Sequence, residues 1–102
     1  MKAKAYISGK ITGLSIEDAR KNFEQGKSAV EKLGFIPVSP MDLPHNHDQT
    51  WESYMKEDLT ALLECQAIYT LPNWEDSRGA KIEVELAKQL GIHVIVIQGV
   101  SN

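Results

Sequence analysis

Apolar positions along the chain fall into short continuous runs alternating with stripes at helical spacing, and that alternation predicts the elements. Lys4 to Ser8 holds Ala5, Tyr6 and Ile7 in a run that stops at Gly9 and Gly13, as a buried strand entering a loop does. Ser15 followed by Asp18 is a capping pattern. Ala19, Phe23, Gly26, Ala29, Val30 and Leu33 then recur at helical spacing before Gly34, which predicts a first helix to residue 33. Phe35-Ile36-Pro37-Val38 reads as a second strand, set at a sheet edge because Pro37 cannot donate to a ladder. Residues 39–50 carry Pro40, Pro44, Asn46 and Asp48 without periodicity and form the longest loop, a lid or rim.

Helical spacing returns from Trp51 to Leu63 through Met55, Leu59 and Leu62, and residues 66–71 follow as a third strand. Residues 72–76 make a second loop, after which Asp76 or Ser77 can cap a third helix over residues 79–91. Residues 93–97 are almost continuously apolar, the pattern of a strand covered on both faces. Strands alternating with helices imply right-handed βαβ crossovers and a parallel sheet, so the class is α/β. Four strands and three helices arrange most simply in the order 2-1-3-4. The switch between strands one and three is where ligands bind, at the strands' C-terminal ends.

Composition narrows the setting. Residues 1–102 fit one domain, and 42% hydrophobic with 25% charged residues is ordinary for a globular chain. A net charge of −3 argues against wide binding to a nucleic-acid backbone, but not against a small phosphorylated ligand held by a few local donors. The lone Cys65 cannot form an internal disulfide and is expected to be a buried structural thiol. No leader of signal-peptide type opens the sequence and no apolar run approaches the ~20 residues that span a bilayer, so a cytoplasmic protein without membrane contact is expected.

Glu83 is the position where a charge is least expected. On a helix it shares a stripe with Ala80, Ala87 and Leu90, the face that packs inward. An ionised group costs several kcal/mol to bury unless paired, so Glu83 either reaches water at the edge of the stripe or is kept for acid, base or nucleophile chemistry. Asp58, between Tyr54 and Leu62 on its helical wheel, borders an inward stripe as well. Two such carboxylates at one crevice suit glycosidic bond cleavage, one ionised as nucleophile and one protonated as acid.

The loops beside the switch supply further candidates. Gly9-Lys10-Ile11-Thr12 lacks the Ser or Thr directly after Lys10 and the leading glycine of a phosphate loop, and Gly9 to Gly13 does not match the dinucleotide fingerprint. These glycines serve either a close approach to ligand or a tight turn. Ser77, Arg78 and Gly79 at the start of helix three offer a hydroxyl, a cation and bare backbone, either to an anion or as an ordinary cap. Trp51 and Trp74 border loops, where each can stack on a planar base or pack in the core. His45 and His47 beside Asp48 lack a third ligand at recognisable spacing, so no metal is expected.

Three segments carry a resemblance: Tyr6-Ile7-Ser8-Gly9-Lys10-Ile11-Thr12-Gly13, Glu57-Asp58-Leu59, and Ser77-Arg78-Gly79-Ala80-Lys81-Ile82-Glu83 continuing to Ala87. In this order they resemble the nucleoside 2-deoxyribosyltransferase superfamily, which includes the 2′-deoxynucleoside 5′-monophosphate N-glycosidases. The resemblance implies a flavodoxin-like three-layer sandwich and a glutamate nucleophile at Glu83. It implies that Asp58 assists at the base or sugar, that Tyr6 orients the nucleophile, and that Ser77 contacts a 5′-phosphate. It further implies a nucleoside or nucleotide substrate, no cofactor, and a homo-oligomer in which a neighbouring subunit completes the site. Two positions depart from the monophosphate-hydrolysing branch: Gln66 stands where an aspartate is common, and Lys10 or Thr12 where an arginine is.

The expected activity is cleavage of the N-glycosidic bond of a 2′-deoxynucleoside or its 5′-monophosphate through a glutamyl-glycosyl intermediate, with hydrolysis favoured over transfer. Glu83, Asp58 and Tyr6 are the expected catalytic residues. Ser8, Gly9, Lys10, Ser77, Arg78, Gly79, Trp51 and Trp74 are the expected substrate contacts. The alternative is a non-catalytic nucleotide-binding or sensor module, favoured by Gln66. Base preference and the choice between ribose and deoxyribose are not legible in the residues.

Overall fold

The computed structural model describes residues 2–44 and 50–96. Its elements are β1 (Lys4–Ser8), α1 (Ile16–Lys32), β2 (Ile36–Val38), α2 (Trp51–Leu63), β3 (Ala67–Thr70), α3 (Arg78–Leu90) and β4 (His93–Val96), with 3-10 turns at Pro40–Asp42 and Trp74–Asp76. All strand pairs are parallel and the sheet order is β2-β1-β3-β4, as the crossovers require. Tyr6 lies opposite both Val38 and Ile68, so β1 runs through the middle of the sheet.

The pleat of β1 sorts the two cores. Ala5 and Ile7 point to α1, where they meet Phe23 and Val30 together with Ala67 and Tyr69 of β3. Tyr6 points to the other face and packs with Ile68, Leu62 of α2, and Val84 and Ala87 of α3. The result is a flavodoxin-like three-layer sandwich, with α1 on one face and α2 and α3 on the other.

Each α-helix begins on a hydroxyl cap. Ser15, Thr50 and Ser77 accept from the N–H of Asp18, Ser53 and Ala80. Helix α3 ends at Gly91 with φ +75°, a left-handed conformation that glycine adopts without strain. Ser77 rather than Asp76 is therefore the cap of the third helix.

Several expectations need correction. Strand β4 lies at the sheet's edge as the order 2-1-3-4 predicts, but it is not covered on both faces: His93 is exposed and Val96 is 49% exposed, with Val94 and Ile95 half-buried between them. Leu33 and Leu90 lie off the inward stripes, each exposed by more than half: Leu33 is the C-cap of α1 and Leu90 the last residue of α3. Phe35 precedes β2, whereas Pro37 does occupy an edge strand. Residues 39–44 are partly organised, Ser39 capping the first 3-10 turn through Met41 N–H. The histidine pair His45 and His47, with Asp48, lies outside the described residues, as does Ile97. Among the described residues, no helix is long and apolar enough to cross a membrane.

Candidate active site

Strands β1 and β3 are neighbours whose chains leave the sheet toward opposite faces, β1 into α1 and β3 into α3, and a crevice opens where they part. A cavity of about 720 Å³ fills it. The first loop contributes Gly9, Lys10, Ile11 and Thr12, α2 contributes Trp51, Tyr54, Met55 and Asp58, and the start of α3 contributes residues 76–80 and Glu83. Arg20 and Ile16 of α1 and Pro40 and Met41 of the 3-10 turn close the remaining side.

Glu83 faces this cavity from an otherwise apolar stripe and is only 4% exposed. Both its oxygens are held from behind. Tyr6 Oη donates to Oε2 at 2.8 Å and Ser8 Oγ donates to Oε1 at 2.7 Å, and both donors are fully buried on β1. Alternation along the strand puts Tyr6 and Ser8 on the same face, two residues apart, so one strand supplies both.

Burial pushes the Glu83 carboxyl up from 4.5 to about 7; the bonds from Ser8 and Tyr6 oppose that rise, and the charge of Asp58 adds to it. The Tyr6 hydroxyl rises well above its usual range through burial and the negative charge of Glu83, so it remains protonated and a donor at neutral pH. A carboxylate fixed in orientation and ionising near neutrality is suited to attack an electrophilic carbon presented from the cavity. Asp58, 8% exposed on the same cavity wall, supplies the second carboxyl.

The start of α3 offers anion contacts. The first-turn N–H groups of Arg78 and Gly79 have no carbonyl within the helix to bond. Ser77 lines the cavity, and its Oγ accepts from Ala80 N–H at 3.1 Å, which leaves the hydroxyl hydrogen able to rotate toward an acceptor. Arg78 lays its guanidinium over Trp51, 4.3 Å from the ring centre, bridging the N-termini of α3 and α2. Trp51 thus lines the cavity with one ring face already covered.

Other candidates stand elsewhere. Ser8 does not line the cavity: its hydroxyl is spent on Glu83. Trp74 does not line it either and packs against the α2 and α3 core, which is the packing alternative. Gly9 both lines the cavity and abuts Leu71, whose Cδ1 would lie 2.5 Å from an added Cβ, while Gly13 turns with φ +92°. Gln66 lies at the opposite end of the sheet, where its Oε1 accepts from Lys4 N–H at 2.8 Å. Burial pushes the Cys65 thiol up to about 11, and its sulfur donates to Ala61 O. Among the described residues no three His, Cys, Asp or Glu side chains gather as metal ligands.

Sequence reasoning did not single out Arg20, Ile16, Met41, Tyr54 or Asn73. The first four reach the cavity from three different elements, and only the folded layers bring them together. Asn73 accepts from Lys10 N–H at 3.0 Å; residues 72–76 were legible as a loop, but not as the partner of the first loop.

A family model described as a domain of unknown function (DUF4406) matches residues 3–96, so the chain belongs to that family. Among solved structures the chain is similar to the 2-deoxyribosyltransferase of the psychrotolerant bacterium Bacillus psychrosaccharolyticus, with a TM-score of 0.70 and 20% sequence identity over 98% of this chain and 77% of that one. At that identity the likeness establishes the shared fold. No curated protein matches.

Proposed function

We propose that this member of the DUF4406 family cleaves the N-glycosidic bond of a 2′-deoxynucleoside or its 5′-monophosphate, with Glu83 as nucleophile. The observation that carries the reading is the buried Glu83 carboxylate, braced by Tyr6 and Ser8 and turned to a cavity it shares with Asp58. The 2-deoxyribosyltransferase fold supports it.

One Glu83 oxygen forms a bond to the anomeric carbon, and the bond from that carbon to the base nitrogen breaks with its electron pair leaving on the base. A water beside Asp58 delivers the proton that neutralises the departing base, or Asp58 does so in the enzyme form in which it carries one. Tyr6 and Ser8 remain donors throughout and fix the carboxylate on the line of attack. Water then releases the sugar from Glu83, or a second base takes it up. Hydrolysis is the favoured outcome on the resemblance to the monophosphate-hydrolysing branch, in which a serine at the place of Ser77 contacts the 5′-phosphate; Ser77, Arg78 and the first-turn N–H groups of α3 suit such an anion. The second reading is the non-catalytic sensor; Gln66, the departure that favoured it, bonds Lys4 N–H at the end of the sheet away from the cavity. In this reading the working assembly is a cytoplasmic homo-oligomer.

The test is incubation with each deoxynucleoside and each monophosphate, and chromatographic measurement of free base, alongside Glu83→Ala. Base release by the wild type that is abolished in the variant supports the reading. Release that survives Glu83→Ala removes Glu83 as the nucleophile, and no release from any substrate returns the chain to the binding class.

A further inference from the structure

We infer that Asn73, which lies outside the cavity, is a positioning residue that latches the β1–α1 loop to the β3–α3 loop and so keeps Ser8 on Glu83. The role in catalysis rests on the function proposed above; the latch itself rests on the geometry.

The parallel ladder between β1 and β3 runs up to Ser8 O, which accepts from Leu71 N–H at 2.8 Å. In a parallel pair the next rung would run from Lys10 N–H to the Leu71 carbonyl. That carbonyl is turned away into the residue 71–74 turn, where it accepts from Trp74 N–H at 3.0 Å. Pro72 occupies the second place of this turn, where its fixed φ fits, and Asn73 follows with φ −95° and ψ 13°, the third-place conformation of a type I turn. The Asn73 side-chain oxygen takes the vacated place and accepts from Lys10 N–H at 3.0 Å, a side chain completing a backbone ladder across 63 residues of sequence.

Two features make this rung matter. Gly9, between Ser8 and Lys10, is pressed against Leu71 so closely that an added Cβ would meet the Leu71 side chain at 2.5 to 2.9 Å, so the two loops depend on each other for their places. Immediately before Gly9 stands Ser8, whose hydroxyl holds Glu83 Oε1. Without the rung, the bond from Leu71 N–H to Ser8 O is the last tie between the two chains, and the backbone that follows Ser8 is held by Gly9 packing alone. The groups that face Glu83 are Tyr6 and Ser8 from β1 and Asp58 from α2; of these, Ser8 is the one whose backbone the latch constrains. Loosening the Ser8 bond removes an influence that lowers the Glu83 carboxyl, so its titration moves up from about 7.

The experiment compares wild type with Asn73→Leu, which keeps size and loses the acceptor, and Asn73→Asp, which keeps an acceptor oxygen. Amide exchange of Lys10 and the carboxyl carbon-13 titration of Glu83 are read by NMR, and kcat/KM for base release is read against pH. Expected for Asn73→Leu are faster Lys10 exchange by about five- to tenfold, the scale of one lost hydrogen bond, a higher Glu83 midpoint, and a matching loss of kcat/KM at pH 6. Asn73→Asp restores Lys10 protection. Unchanged Lys10 exchange in Asn73→Leu overturns the latch. A lower melting temperature with the Glu83 midpoint unmoved reduces Asn73 to a folding role and overturns the positioning claim. Absence of base release by the wild type would reject the glycosidase reading, while the exchange and titration still decide the latch.

Discussion

Glu83→Gln should gain stability relative to the wild type as pH rises. Glu83 titrates at about 7 in the folded chain and near 4.5 once unfolding returns it to water. Below pH 4.5 both forms carry the proton and the site costs nothing in differential binding. Between the two values the folded chain keeps its proton while the unfolded chain loses it, so the unfolded state binds fewer protons and stability falls as pH rises. At ~1.4 kcal/mol per pH unit the fall across that window is about 3 kcal/mol, all of it incurred once pH exceeds 7. Glutamine keeps the shape and does not titrate. Urea denaturation of both proteins at pH 5, 6, 7 and 8 reads the difference, with any offset from rearranging the amide appearing as a constant. The variant's advantage should grow by ~1.4 kcal/mol per pH unit and level off above pH 7. A difference that is flat across the range would refute the assignment of Glu83 as a carboxylate held at a cost in stability.

Tyr6→Phe removes the donor to Oε2 without opening a large void; a bond to a charged group is worth ~1.5–3 kcal/mol, so the acidic limb of kcat/KM near pH 7 should move up by about 1–2 pH units. An unmoved limb in the pH–rate profile would mean that the hydroxyl does not act on Glu83. Asp58→Asn removes the negative charge that helps hold Glu83 up, so the limb should move to lower pH while kcat falls because the water that passes the proton to the base loses its carboxylate partner; a limb moving upward contradicts the charge coupling. Gly9→Ala places a Cβ within 2.9 Å of the Cβ and Cγ of Leu71, itself only 3% exposed, so thermal denaturation should show a loss of about 1–3 kcal/mol.

The fold was legible because its determinants are local. Trp51–Leu63 was bounded correctly from helical spacing alone, and the sheet order followed from the connections between strands. Glu83 could be placed inward because three of its stripe partners' positions follow from a 3.6-residue period, even though Leu90, at the helix end, proved exposed. What spacing does not carry is which loop a side chain meets across the sheet. Ser8 and Trp74 were candidates for substrate contact by their nearness to loops, yet one braces Glu83 and the other packs in the core. Strand β4 looked covered on both faces because Val94, Ile95 and Val96 are all apolar, but apolar composition does not tell how much of a strand at the sheet's edge the helices cover. Gln66 drew attention as a departure from a family pattern, and its distance from the cavity appears only once β3 has a direction.

The central claim is a covalent bond between sugar and Glu83, and it can be observed. A 2′-fluoro-substituted nucleoside slows both formation and breakdown of such a bond, since fluorine withdraws electrons from the anomeric centre. Intact mass spectrometry after incubation should show one added sugar per chain. Peptide mapping should then place it on the fragment containing Glu83, and Glu83→Gln should show none. Base release with no adduct under these conditions, or an adduct on another side chain, would contradict the account.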